Sequence, residues 1–213
     1  MKKFIILLFS LFLLTGCTNV NNLSFDEVTN ELAVKKHKSN IYRTGYNYYL
    51  PKGMQVVDSS LYNEKLEDSY NKYYLYVDIV SYYKEVVKEY KVNEKAVYSQ
   101  KLNYNGKFGY IEINLTQNDK YLVEIMYNYA KIEVIVDSKN VNVSLISAIN
   151  ILKSVEYNDS IVANLLGDDV LNFYEEEFDI FNTKGNEKKY LTVDDSYTEE
   201  EDKNKIPDPD MIN

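Results

Sequence analysis

Apolar positions change their spacing several times along this chain, and each spacing predicts a different element. Phe4 to Leu14 is one apolar block broken only by Ser10. Ser24-Phe25-Asp26-Glu27 has the Ser-x-x-Glu form in which a helix start satisfies its own amide donors. Phe25, Val28 and Leu32 follow at helical spacing, so a short helix is expected from Phe25 to Val34. Tyr42 to Leu50 reads as extended, Pro51-Lys52-Gly53 as a break, and Met54 to Val57 as a resumed apolar run. Asp58 to Asn71 is polar and reads as a loop. Tyr73 to Tyr83 is the strongest strand, rich in β-branched and aromatic residues. Apolar residues on both its faces predict a central place in a sheet. Lys84 to Tyr90 fits either a helical turn or a strand extension.

Ala96 to Tyr104 and Lys107 to Thr116 flank Asn105-Gly106, the pair preferred in a tight hairpin turn whose two central residues need positive φ. Gln117-Asn118-Asp119 makes a second turn. In Lys120 to Val136 the apolar phase is odd from Tyr121 to Tyr127 and even from Ile132 to Val136, which implies a bulge or tight turn near Tyr129-Ala130-Lys131. Asp137-Ser138 opens a helix with one apolar stripe, Leu145, Ile146, Ile149 and Leu152, and Ser154 to Tyr157 reads as one more short strand. The expected fold class is α+β, an antiparallel sheet packed against a late amphipathic helix.

Beyond Asn158 the texture changes. Val170 to Phe181 and Lys188 to Val193 are expected to pair as a hairpin, and Asp194 to Asn213 to form a solvated acidic tail. The expected organisation is a leader over 1–16, a tether over 17–24, a core over 25–157, a hairpin appendage over 158–193 and a tail over 194–213.

The first apolar block follows Lys2 and Lys3 and ends at Leu14-Thr15-Gly16-Cys17. A basic start, a short apolar run and a small residue at the cut describe a secretory leader. The block is shorter than the roughly 20 residues of a permanent membrane span. Leu-Thr-Gly-Cys resembles the lipobox of bacterial lipoproteins, which implies diacylglycerol on Cys17 and cleavage between Gly16 and Cys17. Two acyl chains hold a protein on a membrane where one does so only marginally. Thr18 to Leu23 would reach at most about 20 Å. The expected location is the extracytoplasmic face of the cell membrane. Cys17 is the only cysteine, so no disulfide forms within the chain.

Loss of the leader with its two lysines takes the formal charge from −9 to −11, which disfavours nucleic acid as a partner. The 22 tyrosines, absent tryptophan and abundant asparagine and lysine resemble the bias of AT-rich, low-GC Gram-positive genomes, and the chain with its Leu-Thr-Gly-Cys motif looks like the small lipoproteins of such bacteria. Gly45-Tyr46-Asn47-Tyr48-Tyr49-Leu50-Pro51-Lys52-Gly53, then meandering strands, then a helix over Val143 to Leu152 running into Lys153-Ser154-Val155, resembles the PsbP/Mog1-like layout. That resemblance spans Tyr42 to Tyr157 and supplies no catalytic residues.

His37 is the only histidine and sits among lysines, which gives no support to a catalytic triad. Ser69-Tyr70-Asn71-Lys72 matches one penicillin-binding motif without its companions. The acidic tail lacks the alternating ligands and mid-loop glycine of a calcium loop. Glu175-Glu176-Glu177 reads as an exposed hairpin edge. No catalytic residue, metal or cofactor is expected. Lys35, Lys36 and Lys38, near the tether in sequence, either complement a helix end or touch anionic headgroups. Tyr46, Tyr48, Tyr74 and Tyr76 are the candidate binding surface, since tyrosine combines an apolar body with a polar tip. The same tyrosines also suit half-buried strands. The expected role is non-enzymatic, binding an envelope protein partner, with glycan or small-solute binding as the alternative.

Overall fold

The computed structural model describes residues 19–167. Among these described residues ten strands follow in chain order: β1 (Ile41–Tyr42), β2 (Tyr46–Tyr48), β3 (Gln55–Ser60), β4 (Asn63–Glu67), β5 (Lys72–Val77), β6 (Tyr98–Tyr104), β7 (Lys107–Leu115), β8 (Tyr121–Tyr127), β9 (Ala130–Val136) and β10 (Glu156–Tyr157). Four α-helices accompany them: α1 (Phe25–Thr29), α2 (Ile79–Tyr83), α3 (Val141–Ser154) and α4 (Asp159–Leu166). Seven strands form an antiparallel sheet in the order β3-β4-β5-β9-β8-β7-β6, and β1-β2-β10 form a smaller sheet. The fold is α+β, as a run of antiparallel strands followed by a late amphipathic helix predicts.

One face of the large sheet is apolar: Leu75, Ile132, Ile125 and Ile111 align across four strands, as do Tyr73, Val134, Val123 and Ile113. α3 lies on this face and buries Leu145, Ala148, Ile149 and Leu152. Each such aliphatic side chain contributes about 1.5–3 kcal/mol when fully buried. Lys153, buried near the end of α3, donates to the carboxylate and carbonyl of Glu31 and so ties the N-terminal segment to the helix. No helix among the described residues is long and apolar enough to cross a membrane.

The local signals behave as their chemistry requires. Ser24 and Glu27 form the reciprocal capping box, and the helix they start tightens into a 3-10 turn over Asn30–Ala33. Asn105 and Gly106 take φ of 52° and 73°, joining β6 to β7. The phase flip is a tight turn at Asn128-Tyr129, with φ of 54° and 61°. The surroundings hold Tyr129 in that unfavourable region. Its carbonyl accepts from the Asp78 amide at 2.8 Å. The Asn128 carbonyl accepts from Tyr157 at 2.8 Å, and Asn128 Nδ2 donates to the Val155 carbonyl at 3.2 Å.

Several expectations are corrected. Asp58 to Asn71 is a hairpin, β3–β4, turning at Leu61 (φ 46°). Its inward positions are Tyr62, Glu64 and Leu66, and the buried glutamate masks the alternation. Tyr42 to Leu50 folds back at Gly45 as β1–β2. The strand beginning near Tyr73 stops at Val77, because Asp78 accepts from the Ser81 amide and caps α2. That strand is third of seven, and β9 takes the centre. Lys84 to Tyr90 is neither helix nor strand; Glu85 turns at φ 52° and irregular chain runs on to Val97. The folded core continues past Tyr157, since α4 buries Val162 and Leu166 in the stretch assigned to the appendage. The leader, the 170–193 hairpin and the acidic tail lie outside the described residues.

At Gly109 a methyl group would sit 1.9 Å from the Met126 carbonyl oxygen, inside the β7–β8 ladder. Gly109→Ala is expected to destabilise the protein by about 2–3 kcal/mol. The check is a urea unfolding curve whose midpoint falls while its slope is unchanged.

Candidate functional site

The structure separates the four tyrosines of the candidate binding surface into two pairs. Tyr46 and Tyr48 are buried, and their hydroxyls donate to Glu64 at 2.8 and 2.9 Å. Arg43 Nη2 donates to the same carboxylate at 2.7 Å. The Glu64 side chain is 0% exposed, so water cannot satisfy it and three protein donors do. Burial, then the Glu64 charge, pushes both phenols far above the ordinary tyrosine range and keeps them as donors. Burial works against the Arg43 charge, but the Glu64 hydrogen bond and charge outweigh it and raise that pKa. Tyr46 and Tyr48 are therefore not a binding surface; they link the small sheet to the large one.

Tyr74 and Tyr76 point from the other face of the large sheet. On that face Tyr74, Glu133, Glu124, Glu112 and Ser99 stand in one cross-strand row, and Tyr76, Lys131, Met126, Tyr110 and Lys101 in the next. Neighbouring like charges on adjacent strands repel, so each glutamate needs its own partners. Glu112 accepts from Tyr90, from Asn93 at 3.1 Å and from Asn114 at 2.8 Å. Glu124 accepts from Tyr110, and Glu133 pairs with Lys131 at 3.2 Å. The irregular chain over 84–97 straps this face. Its Tyr90 ring stacks on Tyr110 with centroids 4.0 Å apart. Among the described residues no group of His, Cys, Asp or Glu side chains is placed to hold a metal ion.

Two cavities open on this face, of about 200 and 270 Å³. The first lies between β3, β4 and β5 and meets Asp58, Lys65, Tyr74 and Glu133. The second lies under the strap and meets Asp78, Lys88, Glu89, Tyr90, Tyr110 and Tyr129. Tyr76 and Lys131 line both and form the divide between them. Apart from Glu64, which faces the core, each cavity has two carboxylates and two ammonium groups in its wall. Both are smaller than the roughly 300–1,000 Å³ of sites for drug-sized ligands.

Sequence reasoning found Tyr74 and Tyr76 but missed Lys131, Glu133, Tyr90 and Tyr110. A usable signal was present: Glu112, Glu124 and Glu133 each occupy the minority phase of an otherwise apolar strand. Lys35, Lys36 and Lys38 are exposed, and Lys36 pairs with Glu156 just past the end of α3. The tether end, by contrast, meets the beginning of α3, where Asn142 Nδ2 donates to the carbonyls of Val20 and Leu23. The lysines near the tether in sequence are thus at the opposite end of the helix. His37 stacks on Tyr49, with centroids 4.4 Å apart. Gly16 and Cys17 lie outside the described residues. No protein-family model, curated protein or solved structure matches the chain.

Glu64→Ala leaves two buried phenols without their acceptor and Arg43 without its counter-ion. It is expected to cost about 3 kcal/mol, read as a lower urea midpoint. A second test follows from ionisation. Burial, then acidic partners, pushes Tyr82, Tyr90 and Tyr98 up to about 12. The unfolded chain ionises its tyrosines near about 10. The folded state holds these protons more tightly, so their contribution is complete below about pH 10 and is lost as pH rises through about 12. Unfolding midpoints should fall steadily over that window, and less steeply in Tyr90→Phe.

Proposed function

We propose that this chain is a bacterial surface lipoprotein, held on the extracytoplasmic face of the cell membrane through lipid on Cys17, whose role is binding rather than catalysis. The ligand we assign to it is a small neutral polyhydroxylated molecule, such as one or two sugar units of a glycan. The observation that carries this reading is the pair of charge-balanced cavities meeting at Tyr76 and Lys131. Within either cavity carboxylates and ammonium groups are matched, Lys131 being shared between the two, so neither an anion nor a cation is favoured. Hydroxyl groups, which donate and accept, suit both. Tyrosine rings offer flat apolar surface against which the carbon face of a sugar packs. The leader pattern ending at Leu14-Thr15-Gly16-Cys17 supports the anchor.

A protein partner is the second reading. It is favoured by Val86, Val87 and Val92, each about half exposed along the strap. Crosslinking in cells that captures one envelope protein through residues 84–97 would support it.

The first reading is tested by screening the purified chain against neutral oligosaccharides and polyols. Tyr74→Ala should weaken a hit about tenfold, while Tyr42→Ala, on the small sheet, leaves affinity unchanged. A screen without hits, or a hit indifferent to Tyr74, would sink the sugar assignment.

A further inference from the structure

We propose that the domain stands on the membrane with the β4–β5 turn, the end of β7 and the beginning of α3 against the bilayer, and with its cavities towards the opposite end. This rests on the lipid anchor proposed above and adds a lipid-contacting surface to it.

The anchor point is close to ordered structure. Val20–Asn22 is a 3-10 turn, and the carbonyls of Val20 and Leu23 accept from Asn142 at 2.9 and 2.8 Å. Asn142 is buried in the first turn of α3. From Cys17 to Val20 the chain reaches at most about 11 Å. An acyl group on Cys17 therefore keeps Val20 within that distance of the membrane surface, with the start of α3 one hydrogen-bonded contact beyond it. α3 spans about 21 Å, and its far end reaches the β8–β9 turn, where Asn128 Nδ2 donates to the Val155 carbonyl.

The tether alone would allow the helix to stand on the surface or to lie along it. The side chains at its beginning favour standing. Tyr70, in the β4–β5 turn, is 79% exposed, and its neighbour Asn71 donates to Ser144 of α3 at 3.1 Å. Leu115 ends β7 at 56% exposure, and Val143 sits in the first turn of α3 at 47%. Three exposed apolar or aromatic side chains from three elements thus lie at the end of the fold where α3 begins. Tyrosine at a membrane interface keeps its ring in the headgroup layer and its hydroxyl in water. The charges here are mixed, with Lys120 paired to Asp137 at 3.5 Å, so the contact does not depend on anionic lipid. At the other end Lys36 is engaged by Glu156. Both cavities approach that far end, through Ser60 and Asn63 in the first and through Asp78 and Tyr129 in the second.

The test uses the lipidated full chain in neutral phosphatidylcholine vesicles that carry a headgroup-attached quencher. Acylation of Cys17 leaves any introduced cysteine as the only free thiol. Tyr70→Cys and Leu61→Cys place a fluorescent label at positions of matched exposure, 79% and 77%, at opposite ends of the large sheet. Lys38→Cys probes the lying pose. The Tyr70 position should be quenched several-fold more than the other two. Equal quenching at 70 and 61, or quenching at 38 as strong as at 70, on a protein whose N-terminal peptide carries the acyl mass, overturns the orientation alone. A peptide without that mass overturns the anchor and the orientation together.

Discussion

A single buried carboxylate organises the polar half of this fold. Glu64 points from β4 into a space closed to water, where an unpaired charge would cost several kcal/mol. It is tolerated because Arg43, Tyr46 and Tyr48 converge on its two oxygens. All three donors come from the small sheet or the turn that precedes β2, so satisfying one charge also fixes where the small sheet sits against the large one. The arrangement withdraws two tyrosines from the surface. Tyr74 and Tyr76 leave β5 on the opposite side, Tyr74 half-buried and Tyr76 buried at the divide between the two cavities.

The large sheet consequently has two unlike faces. One is a conventional apolar layer under α3, stabilised by the area it removes from water. The other buries three glutamates in one row, and their mutual repulsion is offset by partners that include Tyr110, Asn114 and Lys131 on the sheet and Tyr90 and Asn93 on the strap. The strap is long and irregular, and chain of this kind in a compact domain is usually functional or mobile. Here it contributes a stacked tyrosine and the outer wall of a cavity. The glutamate row thus lies in the sheet, while Tyr76 and Lys131 line both cavities above it.

Much of the fold was legible along the chain because it rests on local rules. The capping box at Ser24, the Asn105-Gly106 turn, the phase flip before Lys131 and the stripe of α3 depend on neighbours a few residues apart. The β3–β4 hairpin was not legible, because one of its three inward positions is a glutamate whose partners lie 16 to 21 residues away. The site was half legible: tyrosine chemistry pointed to Tyr74 and Tyr76, and the same reasoning pointed equally to Tyr46 and Tyr48.

Sequence alone determined the α+β class, most turns and the inward phase of the long strands. These follow from periodicity, backbone preference and local hydrogen bonding, all encoded over short separations. Tertiary structure alone decided which tyrosines meet solvent, that Lys131 stands between two cavities, and that Lys36 and the tether occupy opposite ends of α3. Each of these depends on pairings between distant strands. A residue's face is set by its own strand, but what lies across from it is set by the order in which strands assemble.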